Sequence, residues 1–214
     1  MKKSIFYFLI LSASVSFAQD AKYTKAMEKS IAIIDSAKAV SAWQEAGNGF
    51  ERIGTANSRE WLPLYYQAYC QVMIGMQEKE NNLKDERFDK AKNLVDKADA
   101  ISPDNSEIYV LKSFIIGMMI SIDPMTRGQK LGMESSMLIE KAIELNKENP
   151  RAYFIKGTSL MYRPAQFGGG KEVAQPILET SIEKFTSFIP ENSIMPRWGA
   201  ERARGMLEQC KKME

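Results

Sequence analysis

Two stretches of this chain come nearest to carrying chemistry. Gly168-Gly169-Gly170-Lys171-Glu172 has the glycines and lysine of a phosphate cradle. A phosphate loop, however, needs Ser or Thr after the lysine and a strand before the glycines. Glu172 follows here, so the stretch reads as a turn whose last glycine opens a helix. Asp123, Gly128 and Glu134 take the first, sixth and twelfth places of a calcium loop. Met125 and Arg127 fill the third and fifth places, where carboxylate oxygens are required, so the pattern does not support calcium.

The remaining residue types narrow the chemistry further. There is no histidine among the 214 residues, which removes the commonest general base and the commonest zinc ligand. Serine–histidine and cysteine–histidine nucleophiles are excluded with it. Cys70 and Cys210 are too far apart in sequence for a paired-cysteine motif. Acids at helical spacing, such as Glu140 with Glu144 and Asp96 with Asp99, read as solvated helix faces. A carboxylate-pair hydrolase would need two acids facing one cleft at roughly 5–9.5 Å. No catalytic residue, metal ligand or cofactor is assigned, and the expectation is a protein that is not an enzyme.

Residues 1–18 read as a secretory leader. Lys2 and Lys3 are its positive end, Ile5–Leu11 its apolar core, and Ser16-Phe17-Ala18 its cleavage site. The apolar run falls short of the ~20 residues a spanning helix needs, and no cysteine follows for lipid attachment. Phe114–Ile122 is also apolar, but Lys112 and Asp123 bracket it, so it reads as a buried helix. The expected mature chain, 19–214, is soluble and periplasmic or secreted. Without the leader's two lysines the 29 basic residues fall to match the 27 acidic ones. A neutral chain lacks the electrostatic footprint of a nucleic-acid binder.

The elements that must position any site repeat along the chain. Asn57, Asn105 and Asn149 each stand four residues before an aromatic, namely Trp61, Tyr109 and Tyr153, and Asn192 continues the series. Each aromatic opens an apolar helical run, and an amphipathic stretch precedes each asparagine. No period-two alternation occurs, so no strand is expected. Helices are expected near 21–36, 39–53, 60–78, 85–101, 105–121, 133–146, 149–162, 171–188 and 196–212. Pro63 fits a first helical turn, and Pro176 requires a late start or a kink. Thr24–Asn57 spans 34 residues, whereas the later spacings are 48, 44 and 43. The surplus falls in Gln77–Arg87, Asp123–Gly132 and Arg163–Gly170, which places loops or lengthened helix ends along one edge.

Two stretches carry a family resemblance. Lys90-Ala91-x3-Val95-x2-Ala98-x2-Ile101-x-Pro103-x-Asn105 resembles the second helix of a tetratricopeptide repeat. Asn149-Pro150-x2-Tyr153-x3-Gly157-x2-Leu160 resembles the first helix, with a small residue at the helix crossing. The resemblance covers most of residues 24–192. It implies an all-α, right-handed superhelical solenoid of antiparallel helix pairs. The units would be 24–57, 58–105, 106–149 and 150–192, with a capping helix at 196–212, in one domain. Ends of such a solenoid are tens of ångströms apart, so Cys70 and Cys210 are expected as free thiols.

The same resemblance implies a concave groove lined by the first helix of each unit. Carried onto this sequence, it names Arg59, Leu62, Tyr66 and Tyr69 from the second unit. Glu107, Val110, Phe114 and Gly117 come from the third, and Arg151, Phe154, Thr158 and Met161 from the fourth. Leu62/Tyr66, Val110/Phe114 and Phe154/Thr158 stand where carboxylate-clamping members carry Lys and Asn, so that mode is not implied. Trp61, Tyr65 and Ala68 belong on the packing face. Tyr66 and Tyr69 suit either a partner or the chain's own interior. The implied function is a scaffold for a protein or peptide partner in the cell envelope, with self-association open. The rival is a small-molecule site for an apolar carboxylate or lipid-like ligand.

Overall fold

Most helices of this chain begin or end where a short polar side chain or a constrained backbone can serve the termini. The computed structural model describes residues 4–213, with side chains from residue 20 onward. Lys2 and Lys3 of the expected leader lie outside the described residues. The helices are α1 (Ser4–Ser36), α2 (Val40–Ala56), α3 (Leu62–Gly75), α4 (Asn81–Ile101), α5 (Ser106–Ile122), α6 (Pro124–Leu145), α7 (Pro150–Tyr162), α8 (Lys171–Ser187) and α9 (Ala200–Lys211). No strand occurs among the described residues.

The asparagines do different jobs. Asn105 Oδ1 accepts the Glu107 N–H at 3.0 Å, and Asn149 Oδ1 accepts the Arg151 N–H at 3.1 Å. Both are N-caps satisfying an orphan donor. Asn57 instead closes α2, its Nδ2 donating to the Ile53 carbonyl at 2.8 Å. Asn192 caps no helix; it accepts from the Ile194 N–H in a side-chain turn.

Helices pair as α1/α2, α3/α4, α5/α6 and α7/α8, followed by α9. Because α5 touches both α3 and α7, these three form one row, and α4 and α6 wedge between its successive members. Close approach depends on small residues. A Cβ on Gly157 would sit 2.7 Å from Leu178 Cγ, so α7 and α8 cross at contact distance only with glycine there. Buried hydroxyls stitch neighbours: Ser106 Oγ donates to the Ala142 carbonyl and Ser181 Oγ to the Pro150 carbonyl.

Several boundaries differ from the sequence expectation. α6 starts at Pro124 rather than 133, so the surplus after Asp123 is helix. Asp123 caps it by accepting from the Thr126 N–H, and Pro124 sits in the first turn. Gly128 and Gly132 each weaken helix preference by about 1 kcal/mol, which hid the element. α8 begins at Lys171 as expected and runs on through Pro176, so the late start does not occur. α1 extends back to Ser4. α9 starts at Ala200 rather than 196, because Gly199 takes φ 113 and ends a non-helical run.

Both motif-like stretches have structural roles, Asp123–Glu134 as the cap and first turns of α6 and Gly168–Glu172 as the turn into α8. Lys171 Nζ donates to the carbonyls of Lys211 and Met213, serving the end of α9. Cys70 and Cys210 are both unpaired and buried. No helix among the described residues is long and apolar enough to cross a membrane.

Candidate functional site

The face presented by α3, α5 and α7 is occupied by the chain itself. Residues 188–199, between α8 and α9, run over it as an arm. Trp198 stacks on Tyr69 with ring centroids 4.8 Å apart, and on Phe114 at 5.9 Å. Tyr66 donates from its hydroxyl to the Ile194 carbonyl at 2.9 Å and stacks on Phe50 at 4.9 Å. At the edge of the face, Arg197 pairs with Asp35 of α1 at 2.6 Å.

Beneath the arm lies a buried polar ring. Arg151 Nε and Nη2 donate to the two carboxylate oxygens of Glu107 at 2.8 and 2.7 Å. Trp198 Nε1 donates to the Tyr65 hydroxyl at 3.0 Å, and that hydroxyl donates to Glu107 at 3.5 Å. Arg151 Nη1 reaches the Trp198 carbonyl, and its guanidinium lies 4.5 Å from the Phe188 ring centroid. Burial works against the Arg151 charge, but the Glu107 carboxylate outweighs it and raises its pKa. Burial pushes the Tyr65 phenol well above its ordinary range, and Glu107 adds to that. Tyr69 is pushed up to about 12, by burial first.

The residues named for an open groove are therefore mostly interior. Leu62, Tyr66, Tyr69, Glu107, Val110, Phe114, Arg151, Phe154 and Met161 are buried. Thr158 is half-buried and bonds the Phe154 carbonyl, and Arg59 is exposed ahead of α3. For Tyr66, Tyr69, Phe114 and Arg151 the physical reason is the arm, which supplies the contacts that a ligand was expected to supply. Its signal in the sequence is Phe188, Ile189, Ile194, Met195 and Trp198 packed around Pro190 and Pro196, an apolar stretch unable to form a continuous helix. Trp61 is half-buried against Tyr65, and Tyr65 and Ala68 are in the core.

A second feature is open. A cleft of about 660 Å³ separates α1 from α2. Tyr23, Ala26, Ile33 and Ile53 give it apolar walls, and Lys22, Lys29 and Arg52 are basic groups lining it. α1 and α2 pack tightly at Gly49, where a Cβ would lie 2.6 Å from Ser30 Oγ. The Tyr23 hydroxyl is buried without a hydrogen-bond partner, and its pKa is raised by burial and by Glu60.

The fold defines an all-α tetratricopeptide-like solenoid. The chain also belongs to the family of the HusA haemophore from Porphyromonas gingivalis. The two are 32% identical, with 90% of this chain and 95% of that chain covered and a TM-score of 0.79. TTC0263, a thermophilic tetratricopeptide protein of Thermus thermophilus, shares the fold at a TM-score of 0.59 and 15% identity. That likeness covers 89% of this chain and 92% of that one. No family model and no curated protein matches the sequence.

Proposed function

We propose that this chain is an exported, non-enzymatic binding protein for an apolar carboxylate, with haem or a related porphyrin as its first candidate ligand. The observation that carries this reading is the end-to-end similarity to a haemophore. The arm supports it from a second direction, because residues 188–199 fill the face where an extended peptide was expected. The ligand class is the small-molecule alternative that the sequence raised. Haem is a large planar apolar ring bearing two carboxylates. A chain without histidine would hold it through ring burial and carboxylate contacts, with Tyr or Met available to iron. Export is supported by the leader-like residues 1–18, which leaves 19–214 as the working unit.

A second reading, a protein partner at the lengthened edge, is favoured by one observation. Met125, Met133 and Met137 of α6 are 90, 75 and 67% exposed, and Phe167, in the turn between α7 and α8, is also exposed. Exposed apolar surface of this kind marks interaction sites.

The two readings part in a thermal-shift panel set beside native co-purification. Haem and protoporphyrin should raise Tm in a concentration-dependent way, while amino acids do not. A stoichiometric envelope protein copurifying with a chain insensitive to every porphyrin would overturn the ligand reading.

A further inference from the structure

The α1/α2 cleft combines apolar walls with basic groups. Its apolar walls lie along both helices, and its basic groups come from both sides. Lys22 and Lys29 are seven residues apart on α1, so they share a face about 10 Å apart along the axis. Arg52 faces them from α2, and its Nη2 lies 4.0 Å from the position a Cβ on Gly49 would take. The guanidinium therefore lies beside the tight contact of Gly49 with Ser30. Glu45 is the one acid lining the cleft among the described residues, which leaves the balance positive. The volume falls within the 300–1,000 Å³ typical of small-molecule sites.

The face formed by α3, α5 and α7 offers no such combination, because its arginine is already paired with Glu107 and covered by the arm.

We propose that the α1/α2 cleft is the seat of a planar apolar dicarboxylate of porphyrin size. The ring lies against Tyr23, Ala26, Ile33 and Ile53, and the carboxylates meet Lys22, Lys29 and Arg52. This assignment rests on the haem-class reading above. Free carboxylates are part of the recognition, so a porphyrin diester is a poor ligand.

The test is an absorption titration of the purified chain with haem, metal-free protoporphyrin and protoporphyrin dimethyl ester. It is run on wild type, on Lys22→Glu/Lys29→Glu/Arg52→Glu, and on Ala56→Trp, which adds bulk at an exposed position of the cleft lining. Lys97→Glu/Lys130→Glu/Lys147→Glu is the charge-matched control, and circular dichroism checks that each variant is folded. Each lost carboxylate contact should weaken binding about tenfold or more. The expected result is weakened binding of haem and protoporphyrin in both cleft variants, an unchanged control, and weak binding of the ester throughout. If wild type binds haem and either cleft variant or the ester matches it, the cleft assignment is overturned while the haem reading stands. Equal loss in the control also overturns the assignment, since it shows only a general charge effect. If wild type binds no porphyrin, both fall.

Discussion

Glu107 and Arg151, 44 residues apart in sequence, meet in a two-point ion pair whose arginine is fully buried under Trp198. The pair joins α5 to α7 and also anchors the arm through the Trp198 carbonyl. Buried pairs owe their strength to geometry, because desolvation costs several kcal/mol per ion. Here the geometry is bidentate and the remaining groups are hydrogen-bonded, so breaking the pair is much worse than replacing it.

Arg151→Met should therefore cost about 3–5 kcal/mol, because Glu107 is left buried without its partner. Adding Glu107→Leu should recover much of that loss. Urea unfolding followed by circular dichroism measures both. Equal stability of the single variant and wild type would remove the ion pair from the account.

The arm should be separable from the helices. Trp198→Ala deletes the stacks on Tyr69 and Phe114 and should cost about 3 kcal/mol, the low end for a large aromatic because Trp198 is only half-buried. Limited trypsin digestion should then cut at Arg197 faster than in wild type, while helical content at 25 °C stays unchanged.

Two glycines should respond in opposite directions. Gly157→Ala drives a Cβ into Leu178 and should destabilise by about 1–3 kcal/mol. Gly117→Ala, inside α5 with open space beside it, should stabilise by roughly 0.5–1 kcal/mol. Paired melting curves decide this, and the same sign for both would show that local packing is misassigned.

Stability should fall on the alkaline side. Cys70 is pushed up from 9.0 to about 12 by burial, and Tyr69 from 10.0 to about 12, again by burial first. Each folded group holds its proton more tightly than the unfolded chain. The stability this contributes is complete below the unfolded value and is lost as pH rises through the folded one. Denaturation midpoints should be flat to about pH 9 and decline between pH 9 and 12. Cys70→Ala should move the onset to about pH 10, where tyrosine begins to titrate.

The helix rhythm was readable because the repeat asparagines sit at real helix boundaries, as Asn57, Asn105 and Asn149 show. Gly157 was also legible, since a small residue at that spacing marks a crossing. The arm was not. Trp198 follows Pro196 at a plausible helix start, and only the left-handed Gly199 keeps it out of α9. Arg151 reads as a groove-lining residue because nothing local reveals that Glu107, on another helix, neutralises it. The α1/α2 cleft was equally hidden: Lys22, Lys29 and Arg52 look like ordinary surface charge until two helices bring them to one opening.

Native mass spectrometry of the purified chain, offered haem and envelope extract together, tests the central claim most directly. The account predicts a saturable haem adduct that persists when extract proteins are present. A chain that carries a stoichiometric protein partner and no haem would contradict it.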